Sequence, residues 1–291
     1  MKKFKFLTVI LSFMVFLSSF TACKPAEYEL NIMSFNIRWP TVEDKEYRDW
    51  DVRKMALVSF LNDSGADVIG VQEITAKKNQ LSYIQENLIE NYEIIYFGDD
   101  VTNATIYNSE VFDFVSQEQY YLSETPDVPS VGWNANCYLA ADILMLKHKA
   151  TGETVRVINT HGALDDDANV KGFELIVQRS LSGENDPFTI MTGDFNATPN
   201  KLGYVPIAEK LQDCRFAAKE SPNRDHNTYN GWGKYADEEL SRRIIDYCFV
   251  SKGENVEVLT YKVRNDKWLD GKYLSDHYAV QVELRIHNGN N

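Results

Sequence analysis

PFTIMTGDFNATP, residues 187–199, is the stretch on which the reading of this chain turns. Phe188, Ile190 and Met191 predict a short buried strand, and Gly193 is placed to let the backbone turn at its end. Side chains along a strand alternate with a period of two. Asp194 and Asn196 can therefore share one pocket while Phe195 points back into the core. A carboxylate beside a carboxamide can orient a water or grip a metal-bound phosphate. Gly, Asp and Asn are also ordinary turn residues, so the motif gains weight only from similar polar residues at the ends of other strands.

Those residues recur along the chain. The run ELNIMSF (29–35) predicts a strand that delivers Asn36 and Arg38, and DVIGVQ (67–72) predicts another that ends before Glu73. ETVRVINT (153–160) alternates as a strand and stops at His161, and Ser275-Asp276-His277 precede a last strand at about 278–286. Strand ends are where mixed α/β sheets place their sites. Asp246 lies inside the apolar run RRIIDYCFV, where a lone charge is costly, so it needs a partner, and a histidine is the natural one.

Between these runs, Val52, Met55, Val58 and Leu61 predict a helix over 51–61 capped by Asp49 or Asp51. A second helix is expected over about 75–88 and a strand at 92–98, giving β-α-β-α-β. Strand-like runs near 104–107, 111–121 and 137–147 have no helix between them, which predicts a mixed sheet. The acidic triplet 165–167 reads as a solvated loop tip rather than a cation site, because no fixed ligand spacing accompanies it. Helices over 171–182 and 204–218, a long loop at 221–239 and strands at 243–250 and 256–264 complete the pattern. His148, His226 and His287 match no motif and are expected at the surface.

The chain opens with Lys2, Lys3 and Lys5, an apolar run from Phe6 to Phe20, and Thr21-Ala22-Cys23, the order of a bacterial export signal. The run is shorter than the roughly 20 apolar residues of a membrane span. Its ending resembles the lipobox of bacterial lipoproteins, which makes Cys23 the expected lipid-bearing N-terminus of an envelope protein, with 1–22 a signal peptide and 23–291 one domain. Cys137, Cys214 and Cys248 are odd in number and lack C-x-x-C spacing. They suggest neither a disulfide framework nor a zinc site, and are expected as buried small hydrophobes. Removing residues 1–22 takes away three lysines and no acidic residue, so the net charge of −13 becomes −16. Such a surface repels polyanions and disfavours long nucleic acid as a partner. At 44% apolar, the chain can bury a large core.

Six runs in order, MSFNIR (33–38), VIGVQE (68–73), NTH (159–161), TGDFN (192–196), RIIDYCFV (243–250) and LSDHYAV (274–280), resemble the endonuclease/exonuclease/phosphatase superfamily. The resemblance implies an α/β four-layer sandwich of two mixed β-sheets flanked by helices, the deoxyribonuclease I-like fold, with its site at one rim. It also implies hydrolysis of a phosphate ester with a divalent cation, Mg²⁺ or Mn²⁺. LSETPD (122–127), TYNGWG (228–233) and YLSDH (273–277) look most like the envelope and phosphatase-like branch.

Carried over position by position, Glu73 with Asn36 and Asp276 would hold the cation, and Asp194 and Asn196 would position water and phosphate. His277 would act as general base, oriented by Asp246, and His161 would hydrogen-bond the phosphate or protonate the leaving group. Many relatives carry a second histidine after the NTH run and an arginine in the middle segment. Here those stretches read GALDDDANVKG (162–172) and NCYLAADI (136–143), so positive groups are thinned beside the phosphate. A small phosphate ester is the expected substrate. A secreted nuclease and a non-catalytic binding lipoprotein of the same fold are the alternatives.

Overall fold

Alternation makes Glu27–Asn36 (β1) a two-faced strand, with Tyr28, Leu30 and Ile32 in one core and Met33 and Phe35 in another. In this computed structural model, which describes residues 27–98, 100–183, 186–236, 242–268 and 271–287, β1 lies inside the first of two six-stranded sheets. The signal segment 1–22 and Cys23 lie outside the described residues.

Trp50–Asn62 (α1) follows β1 and returns the chain to Val68–Gln72 (β2), which pairs parallel to it. Gln80–Asn87 (α2) leads to Tyr92–Tyr96 (β3) and Asn103–Asn108 (β4). The second sheet takes Phe112–Tyr121 (β5), Ala140–His148 (β6), Thr154–His161 (β7) and, after Asp166–Ser180 (α3), Phe188–Asp194 (β8) parallel to β7. Val205–Lys210 (α4), Leu211–Asp213 (β9), Cys214–Ala217 (α5) and Asp246–Ser251 (β10) complete it. Val256–Arg264 (β11) and Ala279–His287 (β12) then return to the first sheet, whose order is β11-β12-β1-β2-β4-β3; the second runs β5-β6-β7-β8-β10-β9. Every other neighbouring pair is antiparallel, so both sheets are mixed, as expected. One core lies between the sheets, one under α1 and α2, and one under α3 and α4.

Local expectations fail where tertiary packing overrides them. Val52 and Met55 of the expected helix stripe are exposed, and the face that packs carries Trp50, Arg53, Leu57, Val58 and Leu61. The acidic triplet is a helix start: Asp165 Oδ1 accepts the Ala168 N–H at 3.0 Å, and Asp166 and Asp167 fill the first turn, where the helix dipole favours negative charge. The helix expected over 204–218 is broken into α4 and α5, because β9 pairs with β10 between them. His148 is buried, stacked on Tyr28 at 4.1 Å, and His226 and His287 are half-buried. Cys214 and Cys248 are buried as expected, but Cys137 is exposed. Gly193 sits within β8 rather than at a turn. A Cβ there would lie 2.6 Å from the Thr160 carbonyl oxygen, so its role is close approach, and the backbone turns at Asn196 (φ 49°) instead.

The inter-sheet core changes character along its length. Leu30, Val68, Leu146, Val157 and Ile190 fill one end, and Gln72, Asn103, Asn159 and Asp142 the other. Asn159 ties the layers together there, accepting from Gln72 Nε2 at 2.7 Å and donating to the carbonyls of Val71 and Ala104 at 3.0 and 2.9 Å. Asp142 shares a face of β6 with Leu144 and Leu146. Gln119 Nε2 donates to its Oδ1 at 2.7 Å, while its Oδ2 meets no partner among the described residues. Burial raises its pKa from 3.8 to about 7, opposed by the Gln119 bond.

Because that folded-state pKa lies above the unfolded value, Asp142 lowers stability progressively from about pH 4 to pH 7, after which its cost is constant. Asp142→Asn keeps the shape without the charge. It is expected to raise unfolding free energy at pH 8 by up to about 4 kcal/mol, with a gain shrinking toward zero near pH 4. Urea unfolding of both proteins across that range checks this; parallel pH profiles would contradict it.

Candidate active site

The polar end of the inter-sheet core opens at the rim where β1, β2, β7 and β8 all terminate. Asn36 closes β1, Glu73 follows β2, His161 closes β7 and Asp194 closes β8; β10 begins with Asp246, and Asp276 and His277 precede β12. All eight residues expected at the site meet here.

Asn36 is buried and bridges the two sheets. Its Nδ2 donates to Glu73 Oε1 and to Asp194 Oδ2, both at 3.0 Å, while its Oδ1 accepts the Arg38 N–H at 3.0 Å. Glu73 Oε2 accepts the Trp39 N–H at 3.1 Å. Asp194 Oδ1 accepts the Asn196 N–H at 2.9 Å, an Asx-type turn that carries Asn196 toward His161, whose Nε2 lies 3.1 Å from Asn196 Nδ2 and 3.4 Å from Asp194 Oδ2. Phe195 points into the core under α3, as alternation demands. Ser275 Oγ donates to the Asn36 carbonyl at 2.7 Å and so docks the start of the last strand on the end of the first.

Asp246 has the histidine partner its burial called for. His277 Nδ1 lies 3.0 Å from both its carboxylate oxygens, while Nε2 faces Asp194 Oδ2 at 3.7 Å and the Tyr229 ring packs edge-on with centroids 4.9 Å apart. Burial opposes a charge on His277, but Asp246, Asp194 and Asp276 outweigh it and lift its pKa to about 10. Burial raises Asp246 and Asp276, and His277 opposes the rise in both. Asp194, Asp246 and His277 bring ligand-type atoms within 4.8 Å of one another, a possible metal-binding group. In this geometry Asp246 is engaged by the imidazole.

Two arginines stand beside these carboxylates, and sequence reasoning gave neither a role. Arg38 Nε donates to Asp44 Oδ2 at 3.1 Å, and its Nη1 lies 3.6 Å from Asp276 and 4.0 Å from Glu73. Arg53 is fully buried in α1 and donates to the carbonyls of Arg48, Ile37, Leu274 and Arg38 at 2.6 to 3.1 Å. Burial lowers its pKa to about 10, against the pull of Asp276 and Asp44, so it stays charged at neutral pH. A helix face counted from Trp50 rather than Val52 would have shown Arg53 pointing inward. Nothing local marks its target. Of the loop aromatics, Trp232 lies against Tyr47 and over Arg53, and Tyr235 packs on Arg243.

The sequence profile of the Endonuclease/Exonuclease/phosphatase family matches residues 33–277. An endonuclease/exonuclease/phosphatase family protein from Bacteroides thetaiotaomicron is 26% identical and superposes with a TM-score of 0.79 over 91% of this chain and 99% of that one. A mannosyl-6-phosphatase of Bacteroides thetaiotaomicron is 27% identical, with a TM-score of 0.78 over 88% of this chain and 99% of its own. TDP2 of D. rerio, complexed with single-strand DNA product, shares the fold at 16% identity and a TM-score of 0.66, covering 88% and 98% of the two chains. An uncharacterized protein of Acanthamoeba polyphaga mimivirus is 26% identical over 250 residues, 80% of this chain and 82% of that protein.

The His277 environment gives a pH signature. A histidine raised above its unfolded value contributes stability that is complete below about pH 6.5 and disappears as pH climbs through about 10. In cation-free protein the His277 ring protons are expected to titrate near pH 10 by NMR. Asp246→Asn should bring that titration down by more than a unit, since burial then meets less opposition; an unmoved midpoint would contradict this account of the pair.

Proposed function

The chain belongs to the Endonuclease/Exonuclease/phosphatase family, and on that premise we propose that it is a metal-dependent phosphoesterase that hydrolyses a small phosphate ester by attack of an activated water. The observation that carries this reading is the convergence on Asp194, which touches Asn36, Asn196 and His161 and faces His277.

The donor set fits a hard divalent cation such as Mg²⁺ or Mn²⁺. Glu73 and Asp276 approach one point already adapted to positive charge, since the Arg38 guanidinium stands within 4.0 Å of both. Asn36 turns Oδ1 toward its own loop, so in this geometry it orients the carboxylates; a half-turn of its amide would add an oxygen ligand. When bound, the cation neutralises phosphate charge and stabilises the leaving oxygen. Asp194 is placed to accept the proton of the attacking water, with Asn196 holding the phosphate beside it. When protonated, His277, with a carboxylate facing each ring nitrogen, offers a charged N–H to the phosphate; when neutral, oriented by Asp246, it serves as the general base expected of it. His161, partly exposed at the rim, is positioned for the leaving oxygen.

A small ester is favoured over duplex DNA by the acidic surface, which cannot release counterions along a phosphate backbone. The 27% identity to a mannosyl-6-phosphatase supports a sugar phosphate in particular. We further propose export and membrane attachment through a lipid on Cys23, outside the described residues.

The test is turnover of a panel of phosphate mono- and diesters, sugar phosphates included, with Mg²⁺, with Mn²⁺ and with chelator, beside plasmid and oligonucleotide cleavage. Chelator-sensitive hydrolysis of small esters is expected, and Glu73→Gln should weaken Mn²⁺ binding and turnover together. His277→Ala and Asp246→Asn should each cost about a hundredfold or more in kcat, with the double variant little worse than either, since groups acting as a unit are non-additive. Dominant nuclease activity would favour the secreted-nuclease reading, and no turnover with any cation a binding lipoprotein. Cys23→Ser should move the protein from the membrane to the soluble fraction; unchanged fractionation would refute the lipid anchor.

A further inference from the structure

Arg38 stands in a conformation that its own side chain does not explain. Its backbone is left-handed (φ 60°), a region costly for a residue with a Cβ, and it is held there from beneath. Arg53 Nη2 and Gln80 Nε2 donate to its carbonyl at 2.6 and 3.0 Å, and its N–H is fixed on Asn36 Oδ1. Buried Arg53 and Gln80, which also bind neighbouring backbone, thus both hold the carbonyl of this one loop residue. The aim is specific: Asp44 grips Nε from outside, turning Nη1 toward Asp276 and Glu73. The side chain is about a quarter exposed, so the guanidinium faces both the carboxylates and the opening of the site.

We infer that Arg38 is the phosphate-binding guanidinium of this site and sets its preference for phosphate monoesters over diesters. The inference rests on the phosphoesterase reading above. Without a divalent cation, Arg38 neutralises Glu73 and Asp276. Once those carboxylates serve a cation, the guanidinium keeps Asp44 on Nε but has its Nη1 end released from Asp276 and Glu73, next to the place where phosphate must sit. A monoester dianion carries one more charge and one more terminal oxygen than a diester, and a planar fork of N–H donors suits that extra oxygen. Arg38 also supplies positive charge that the 136–143 segment lacks.

The experiment uses Arg38→Gln and Arg38→Lys in the full chain, with their unfolding midpoints measured to confirm folding. Calorimetry with inorganic phosphate in the presence of Mn²⁺ is expected to show affinity falling about ten- to hundredfold in Arg38→Gln, with Arg38→Lys between, because a lysine keeps the charge but not the fork. Mn²⁺ affinity by electron paramagnetic resonance should stay equal or tighten, since the variant removes a cation that competes for Glu73 and Asp276. For kcat/KM, p-nitrophenyl phosphate should suffer at least about tenfold more than the methyl p-nitrophenyl diester. Unchanged phosphate affinity, or equal losses on both esters, would overturn the inference. If wild-type protein turns over no ester, the phosphoesterase reading fails by itself, and phosphate binding still decides the role of Arg38.

Discussion

One carboxamide holds the rim of the candidate site together. Asn36 belongs to the first sheet and Asp194 to the second, and the 3.0 Å bond between them spans the gap where the inter-sheet core ends. The same NH₂ group holds Glu73, so two carboxylates that would repel each other are kept side by side by one neutral donor. In this geometry the amide oxygen receives the Arg38 N–H and its nitrogen faces the two carboxylates. An aspartate in this position would gather three carboxylates with no donor between them. The rim could then persist only by taking up a proton or a cation.

Around that bond the backbone is held under strain. Arg38, Glu73 and Asn196, each one or two residues beyond a strand end, all adopt left-handed conformations, which cost about 1–3 kcal/mol apiece for ordinary residues and less for asparagine. At Glu73 the turn brings the side chain round to the pocket, where continued β geometry would have sent it to the face opposite Gln72. The compensation lies in buried bonds: Arg53 and Gln80 on the Arg38 carbonyl, the Ile74 N–H on Thr102 after Glu73, and Asp194 on the Asn196 N–H. The site is therefore as much a property of α1 and its inward arginine as of the strands that name it.

The strand ends were legible because they combine two signals that survive in one dimension: an apolar run and an abrupt polar stop. Glu73, His161 and the 194–196 pair are all announced that way, and Asp246 is announced by the inverse signal, a charge in an apolar run. Their convergence on one rim follows from parallel β1–β2 and β7–β8 pairing, which places ends that are far apart in sequence at one edge. What stayed hidden depends on partners far along the chain. The inward face of α1 is chosen by what lies beneath it, β9 exists only because β10 passes beside it, and the charge on His277 comes from carboxylates at positions 194, 246 and 276. Spacing within a segment carries no record of these.

The pairing of β1 with β12 joins positions as distant as Glu27 and His287. A strand near the middle of the first sheet must thus wait for one of the last segments made, and Ser275 docks on Asn36 across a similarly long separation. Pairings of such high contact order are slow to form, and until they do β1 presents an unpaired edge to other chains. The same adjacency offers a remedy: a short linker between residues 27 and 287, with new ends opened in a surface loop, would turn this remote pairing into a local hairpin.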